Sequence, residues 1–303
     1  MLFGVGSGKY FIFYSLRMAL MDGRKVAKEI LLNLEKEVNR MHAAHIHPKL
    51  AVILVGKNPS SLSYISQKQK ACAQTGIEWE QFDYETDVTT EQLIGKVNEL
   101  NADENVHGIL IQLPLPKTIQ TSQVFKSINP KKDVDGFTAY NIGKIFIDMK
   151  FEYLAPCTPM GVIKLLEYYS IPVQGKEVVI VGHSNIVGKP LAVMMLNRDA
   201  TVTVCNVYTK DLAFHTRRAD IVCIAVGKPN LITADMVREG VTVIDIGINR
   251  LKDGKLVGDI DFENIAKKAA FVTPVPGGVG PMTVACLMEN TVKAAKSQSK
   301  ALA

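Results

Sequence analysis

The stretch VVIVGHSNIVGKP, residues 178–190, decides the fold. Val178 to Val181 are all β-branched and apolar, so this segment reads as a strand covered on both faces, the habit of a parallel sheet. Gly182 ends it, and a helix is expected from about Ile186 to Asn197. Where a buried strand turns into a helix, free backbone N–H groups and the helix dipole favour a phosphate. The dinucleotide fingerprint places glycine first, third and sixth. Those positions here hold Gly182, Ser184 and Val187, with Gly188 one step late. A tight strand–helix turn needs small residues too, so the turn alone leaves both readings open, and its surroundings favour the nucleotide.

Working outward, TPMGVIKLLEYYS precedes this unit as a helix with Pro159 in its first turn. KEVVIVG, ATVTVC, ADIVCIAVG and VTVIDIG then alternate with helices near 186–197, 211–217 and 233–238, a Rossmann-like run of βα units. Toward the N-terminus a second α/β series is visible. Val26, Ile30, Leu31, Leu34, Val38 and Met41 recur at helical spacing over 23–42. LAVILVG follows as a buried strand, 60–75 as a helix ending at Gly76, and IEWEQFDY as a strand. Thr89 and Gln92 form a capping-box pattern for a helix at 90–101, and VHGILIQLPLP is a third strand running into prolines. The expected architecture is a three-layer α/β domain with a parallel sheet over 22–156 and a Rossmann-like domain over 157–280. A final helix from about 282 follows TPVPGGVGPMT, and residues 1–21 read as an extension ahead of a second start at Met21.

At 303 residues the chain is long enough for about two cores. Its net charge of +5 is mild, and Lys and Arg are scattered without interleaved aromatics, which argues against nucleic acid. No apolar run reaches the length of a membrane span. The five cysteines form no C-x-x-C pair and fit reduced thiols in the cytoplasm. HAAHIH, residues 42–47, reads as a polar helix end, and no metal site is expected. The first 20 residues contain no acid, a feature also of organellar presequences.

Several segments could carry chemistry. Tyr64 and Lys68 are four apart, so a helix puts them on one face. A solvated surface pair has the same spacing. Gln112 sits where a strand ends, the usual place for α/β sites. Asp133 and Asp135 lie in a loop, where a turn role is the simpler reading. PVPGGVGPMT is dense in residues that let backbone approach a ligand. Cys205, Asn206 and Val207 end the strand that normally reports the cofactor, and they carry neither the acid of NAD sites nor the Arg of NADP sites.

Taken together, YISQKQKACAQTGI, GILIQLPLP, KKDVDGF, PCTPMGVIKLL, VVIVGHSNIVGKPLA, ADIVCIAVGKPNLI, VIDIGIN, GDID and TPVPGGVGPMTVACLMENT resemble, in order, the bifunctional methylenetetrahydrofolate dehydrogenase/methenyltetrahydrofolate cyclohydrolase family. The resemblance covers roughly 22–296. It implies oxidation of 5,10-methylenetetrahydrofolate with NADP or NAD, then hydrolysis to 10-formyltetrahydrofolate, by a homodimer whose last helix returns to the first domain. It implies Lys68 as catalytic lysine, Gln112 as its hydrogen-bond partner, Tyr64 stacking on the folate and Asp135 binding the pterin. Leu113, Pro276, Gly277 and Gly278 would lie along the folate; Gly182, His183, Ser184, Ile186, Val207 and Ile248 would hold the dinucleotide. Many NADP-using members carry Arg at the position of His183, or Ser or Arg at that of Val207, and this chain has neither. NADP is placed ahead of NAD on family frequency. The alternatives are a dehydrogenase without the hydrolytic step, an enzyme resembling shikimate dehydrogenase, or a folate- or nucleotide-binding module without turnover.

Overall fold

The computed structural model describes residues 18–299. Its elements run β1 (Ala19–Leu20), α1 (Gly23–Ala43), β2 (Lys49–Val55), α2 (Pro59–Thr75), β3 (Glu78–Tyr84), α3 (Thr90–Ala102), β4 (Gly108–Ile111), α4 (Thr121–Ser127), α5 (Ala139–Ile145) and α6 (Cys157–Tyr168). They continue β5 (Glu177–Val181), α7 (Gly188–Leu196), β6 (Thr201–Cys205), α8 (Leu212–Arg218), β7 (Ile221–Ile224), β8 (Thr242–Asp245), β9 (Asn249–Arg250), β10 (Leu256–Val257), α9 (Phe262–Ile265), β11 (Phe271–Val272) and α10 (Val279–Gln298). No described helix is long and apolar enough to cross a membrane.

β3, β2 and β4 form a three-stranded parallel sheet in that order. Its central strand is buried on both faces. Leu50, Val52 and Leu54 pack with α1, α2 and α10, whereas Ala51, Ile53 and Val55 pack with Leu93, Val97 and Leu100 of α3. Three layers follow from that two-residue alternation. The ends of the helices are made locally. Asn58 caps α2 ahead of Pro59, and Thr89 and Gln92 complete the capping box of α3.

The second sheet is wholly parallel, in the order β1-β11-β8-β7-β5-β6. Val178 and Ile180 of β5 face one core, Val179 and Val181 the other. β5 runs to β6 on one side and the chain then crosses to β7 on the other, so the direction of winding reverses between β5 and β7. Open α/β sheets bind ligands at such a reversal, beyond the carboxyl ends of the strands.

Several elements differ from the sequence expectations. Ala19 and Leu20, expected in an N-terminal extension, pair with Phe271 and Val272 and add an edge strand to the second sheet; the rest of that extension, residues 1–17, lies outside the described residues. The third strand of the first sheet is four residues long, because the prolines after Leu113 cannot donate to a ladder. α7 starts at Gly188 rather than Ile186, and α10 at Val279 rather than 282, with Pro281 in its first turn. The expected helix near 233–238 is a three-residue 3-10 turn, Ala234–Met236.

α10 packs against α6, α1 and α2, and so touches elements of both sheets' cores. Asn290 on this helix is buried, and its amide donates to the carbonyls of Val134 (2.9 Å) and Ala155 (3.0 Å), at either end of the segment joining the two sheets. Asn290→Ala leaves both buried carbonyls without that donor. The expected loss of stability is about 2–4 kcal/mol in urea unfolding; a loss below about 0.5 kcal/mol would mean the carbonyls are served by other donors.

Candidate functional site

A cleft opens where the carboxyl ends of both sheets face the start of α10. It has two adjoining lobes of about 330 Å³ and 270 Å³, sharing Ser60, Tyr64, Ile246, Ile248, Val279 and Gly280. Helical spacing places Tyr64 and Lys68 one turn apart on α2, and both line the larger lobe. Lys68 is only 6% exposed, so the surface-pair alternative fails for it.

Its amine donates to Gln112 Oε1 at 2.9 Å. Gln112 follows the last residue of β4, and its own amide donates to the Leu113 carbonyl at 2.8 Å, which also accepts from Ser61 Oγ at 3.2 Å. With Nε2 engaged there, the amide oxygen is the group turned toward the lysine. Burial lowers the Lys68 pKa, while Asp135 and the thiols of Cys157 and Cys72 act weakly the other way. Burial likewise raises the Asp135 carboxyl, offset in part by Lys68. Asp135 keeps some surface open to the cleft but is otherwise enclosed by protein, so both groups shift toward their neutral forms. Burial also raises the Tyr64 phenol.

The two aspartates of KKDVDGF divide their roles. Asp133 is buried and accepts from the N–H groups of Phe137 (3.1 Å) and Thr138 (2.8 Å) and from Asn141 Nδ2 (2.9 Å), closing the turn. Asp135, two residues on, projects into the cleft. Leu113 and Ile186 line the larger lobe, Pro276, Gly277 and Gly278 the smaller, and Ile248 both. Arg24, Arg250 and Asp245, which no sequence motif above includes as site residues, also line the smaller lobe. Arg24 donates its backbone N–H to the Gly277 carbonyl at 3.2 Å. For Asp245 a signal existed, an acid ending the apolar strand VTVID.

Gly182, His183, Ser184 and Val207 sit beside these lobes, at the ends of β5 and β6. Gly182 has φ +115°, and a Cβ there would stand 2.4 Å from the Ala225 carbonyl oxygen. A Cβ on Gly188 would stand 2.0 Å from the Gly182 carbonyl oxygen. Backbone therefore packs on backbone at the winding reversal, and Gly188 fills the close-approach role although it is displaced from the usual spacing. Ser184 Oγ accepts from the N–H groups of Val187 (3.1 Å) and Gly188 (3.4 Å). His183 is exposed and Val207 is 86% exposed, both open to a ligand lying across the strand ends. A dinucleotide fits this cradle. The described residues include no group of three or more His, Cys, Asp or Glu able to hold a metal; His42 and His47 instead stack, with ring centroids 4.7 Å apart.

Residues 21–135 match the family profile for the catalytic domain of tetrahydrofolate dehydrogenase/cyclohydrolase, and 156–299 match its NAD(P)-binding domain. The chain belongs to the tetrahydrofolate dehydrogenase/cyclohydrolase family. A bifunctional protein FolD of Nautilia profundicola is 53% identical over 283 residues, 93% of this chain and 99% of that protein. The crystal structure of the bifunctional FolD of Campylobacter jejuni superposes with a TM-score of 0.89 at 48% identity, covering 93% of this chain and all of that one. The Trypanosoma brucei dehydrogenase-cyclohydrolase, solved with NADP and an inhibitor, has a TM-score of 0.90 at 37% identity, covering 92% of this chain and 98% of that one. Family membership sets aside the shikimate dehydrogenase-like alternative.

Proposed function

We propose that this member of the family oxidises 5,10-methylenetetrahydrofolate to the 5,10-methenyl form with NADP in preference to NAD, and hydrolyses that product to 10-formyltetrahydrofolate. The observation that carries the reading is the Lys68–Gln112 contact: a buried amine held by a neutral amide at the bottom of a cleft. A carboxylate in place of Gln112 would keep the lysine protonated; an amide orients it and adds no charge.

In this reading Tyr64 stacks on the folate, Asp135 binds the pterin, and Leu113 with the loop Pro276–Gly278 lies along the substrate. Arg24 and Arg250 give the smaller lobe a positive field suited to an anionic folate. Gly182, His183, Ser184, Ile186, Val207 and Ile248 hold the dinucleotide, whose nicotinamide, when bound, accepts the hydrogen and electron pair lost by the methylene carbon. That step asks positioning of the protein. Hydrolysis asks more. As water adds to the methenyl carbon one proton must leave it, and neutral Lys68 takes that proton while its own N–H stays on Gln112. The bond from that carbon to the pterin nitrogen then breaks, the nitrogen is protonated, and one proton is released overall.

A homodimer is supported by β6, an edge strand whose outer backbone row has no strand partner among the described residues. Light scattering is expected to give twice the chain mass of 33.3 kDa, and a monomer mass would refute it.

The decisive assay follows reduced dinucleotide with methylenetetrahydrofolate and, separately, hydrolysis of supplied methenyltetrahydrofolate. Lys68→Met is expected to lose hydrolysis by about 10²–10⁴-fold and dehydrogenation by less. The wild-type hydrolysis rate is expected to rise with pH through a midpoint below the ordinary lysine value of 10.5, because burial depresses the folded pKa and the base is the deprotonated form. That limb vanishes in Lys68→Met. Full hydrolysis by the variant would remove the lysine from the mechanism.

No guanidinium stands at position 183 or 207, so preference between the two dinucleotides is expected to be weak. His183→Arg is expected to raise the NADP/NAD ratio of kcat/KM by about 5- to 30-fold, the order of one charge-assisted hydrogen bond. An unchanged ratio would mean that position 183 does not meet the 2′-phosphate.

A further inference from the structure

β7 and β8 are neighbours in the second sheet, and each ends in a loop at the carboxyl edge: residues 225–230 after β7, and 246–248 after β8, running into Asn249 at the start of β9. One side chain from a third segment ties the two together. Asp259 is fully buried, and its carboxylate takes four N–H donors. Oδ2 accepts from Val226 (2.8 Å) and Gly227 (3.0 Å), and Oδ1 from Lys228 (2.9 Å) and Asn249 Nδ2 (2.8 Å). Asp259 forms no ion pair among the described residues.

Asp259 is itself held by a second acid. Asp245, the last residue of β8, accepts from the backbone N–H groups of Gly247 (3.0 Å), Asp259 (2.9 Å) and Ile260 (3.2 Å). The two carboxylates are locked by glycines. A Cβ on Gly258 would stand 1.8 Å from Asp245 Oδ2, and a Cβ on Gly247 2.1 Å from Asp259 Cγ. Four residues from two separate motifs, VIDIGIN and GDID, thus form one interlocked unit. Ile248, between Gly247 and Asn249, lines both lobes of the cleft. The loop after β7 begins at Ala225, whose carbonyl packs on Gly182 in the cradle.

We infer that Asp259 is a positioning residue for the dinucleotide: by gathering the amides of 226–228 and the side chain of Asn249 it sets the loop that begins against Gly182 in the cradle and the loop that carries Ile248. The inference rests on the function proposed above. The hydrogen-bond and charge partners of Lys68 and Asp135 are residues other than Asp245 and Asp259. Hydrolysis of supplied methenyltetrahydrofolate uses no dinucleotide, so the two activities of one chain separate a local effect from general damage.

Asp259→Asn keeps the shape but replaces one acceptor oxygen by an NH2 group facing N–H donors. In the full-length protein, calorimetric titration with NADP is expected to show binding weakened by about tenfold or more, and hydrogen exchange of the 226–228 amides is expected to quicken. Hydrolysis is expected to stay within about twofold of wild type, the change a remote substitution of this kind leaves. Unchanged NADP affinity, or hydrolysis falling by the same factor as affinity, would overturn the inference. Should Asp259→Asn not fold, Asn249→Ala removes a single donor and is expected to weaken NADP by about threefold with hydrolysis intact; unchanged affinity there overturns it equally. A wild-type chain that binds neither NADP nor NAD would instead refute the functional reading.

Discussion

The arrangement of this molecule depends on the burial of its last helix. Twelve residues of α10 are buried, on all sides of the helix rather than along one stripe. A helix with buried residues on every side has no stable place at a surface. Val279, Met282 and Ala285 enter the core beside the second sheet, while Val284, Leu287, Met288 and Val292 enter the core beside the first. Separating the two sheets would expose these side chains, at a cost of about 1.5–3 kcal/mol for each large apolar one. Close approach to α6 is permitted by Gly161, where a Cβ would come 2.9 Å from the Met282 Cβ. Asn290 adds direction to a contact that apolar packing alone would leave slippery. Because the start of α10 also lines the cleft, the force that joins the sheets is the force that shapes the site.

Inside that cleft, solvation decides charge. Lys68 and Asp135 are both drawn toward neutrality by removal from water, and their mutual attraction offsets only part of it. Gln112 is consistent with this regime, since it can accept from the lysine while leaving the amine free to lose its proton. Asp133 shows the opposite solution two residues away: three donors gather on one buried carboxylate, which serves the backbone rather than the ligand. Asp259, with four donors, belongs to that second kind.

Sequence by itself determined the long elements. LAVILV and VVIV announce buried parallel strands because a continuous apolar run has no polar face to offer water. The capping box of Thr89 and Gln92 acts within one turn of its own helix, so it too is legible without a fold. Tyr64 and Lys68 share a face by spacing alone, and the ordered motifs carry the family resemblance. Short elements escaped this reading. β1, β9, β10 and β11 are two residues each, too brief for any periodicity, and exist only because a neighbouring strand offers partners.

Tertiary structure decided the rest, since it concerns residues far apart in the chain. Which alternate residues of β2 and β5 face which core cannot be read from uniformly apolar runs; it follows from the helices that cover each side. The Lys68–Gln112 bond spans 44 positions, and only the fold brings the two residues together. Asp133 and Asp135 are chemically identical and both sit in a turn-forming loop, so sequence could not say which would close the turn and which would face the ligand. The Asp245–Asp259 unit was invisible for the same reason: local propensity acts over a few residues, whereas a buried carboxylate is satisfied by whichever distant N–H groups the fold brings to it.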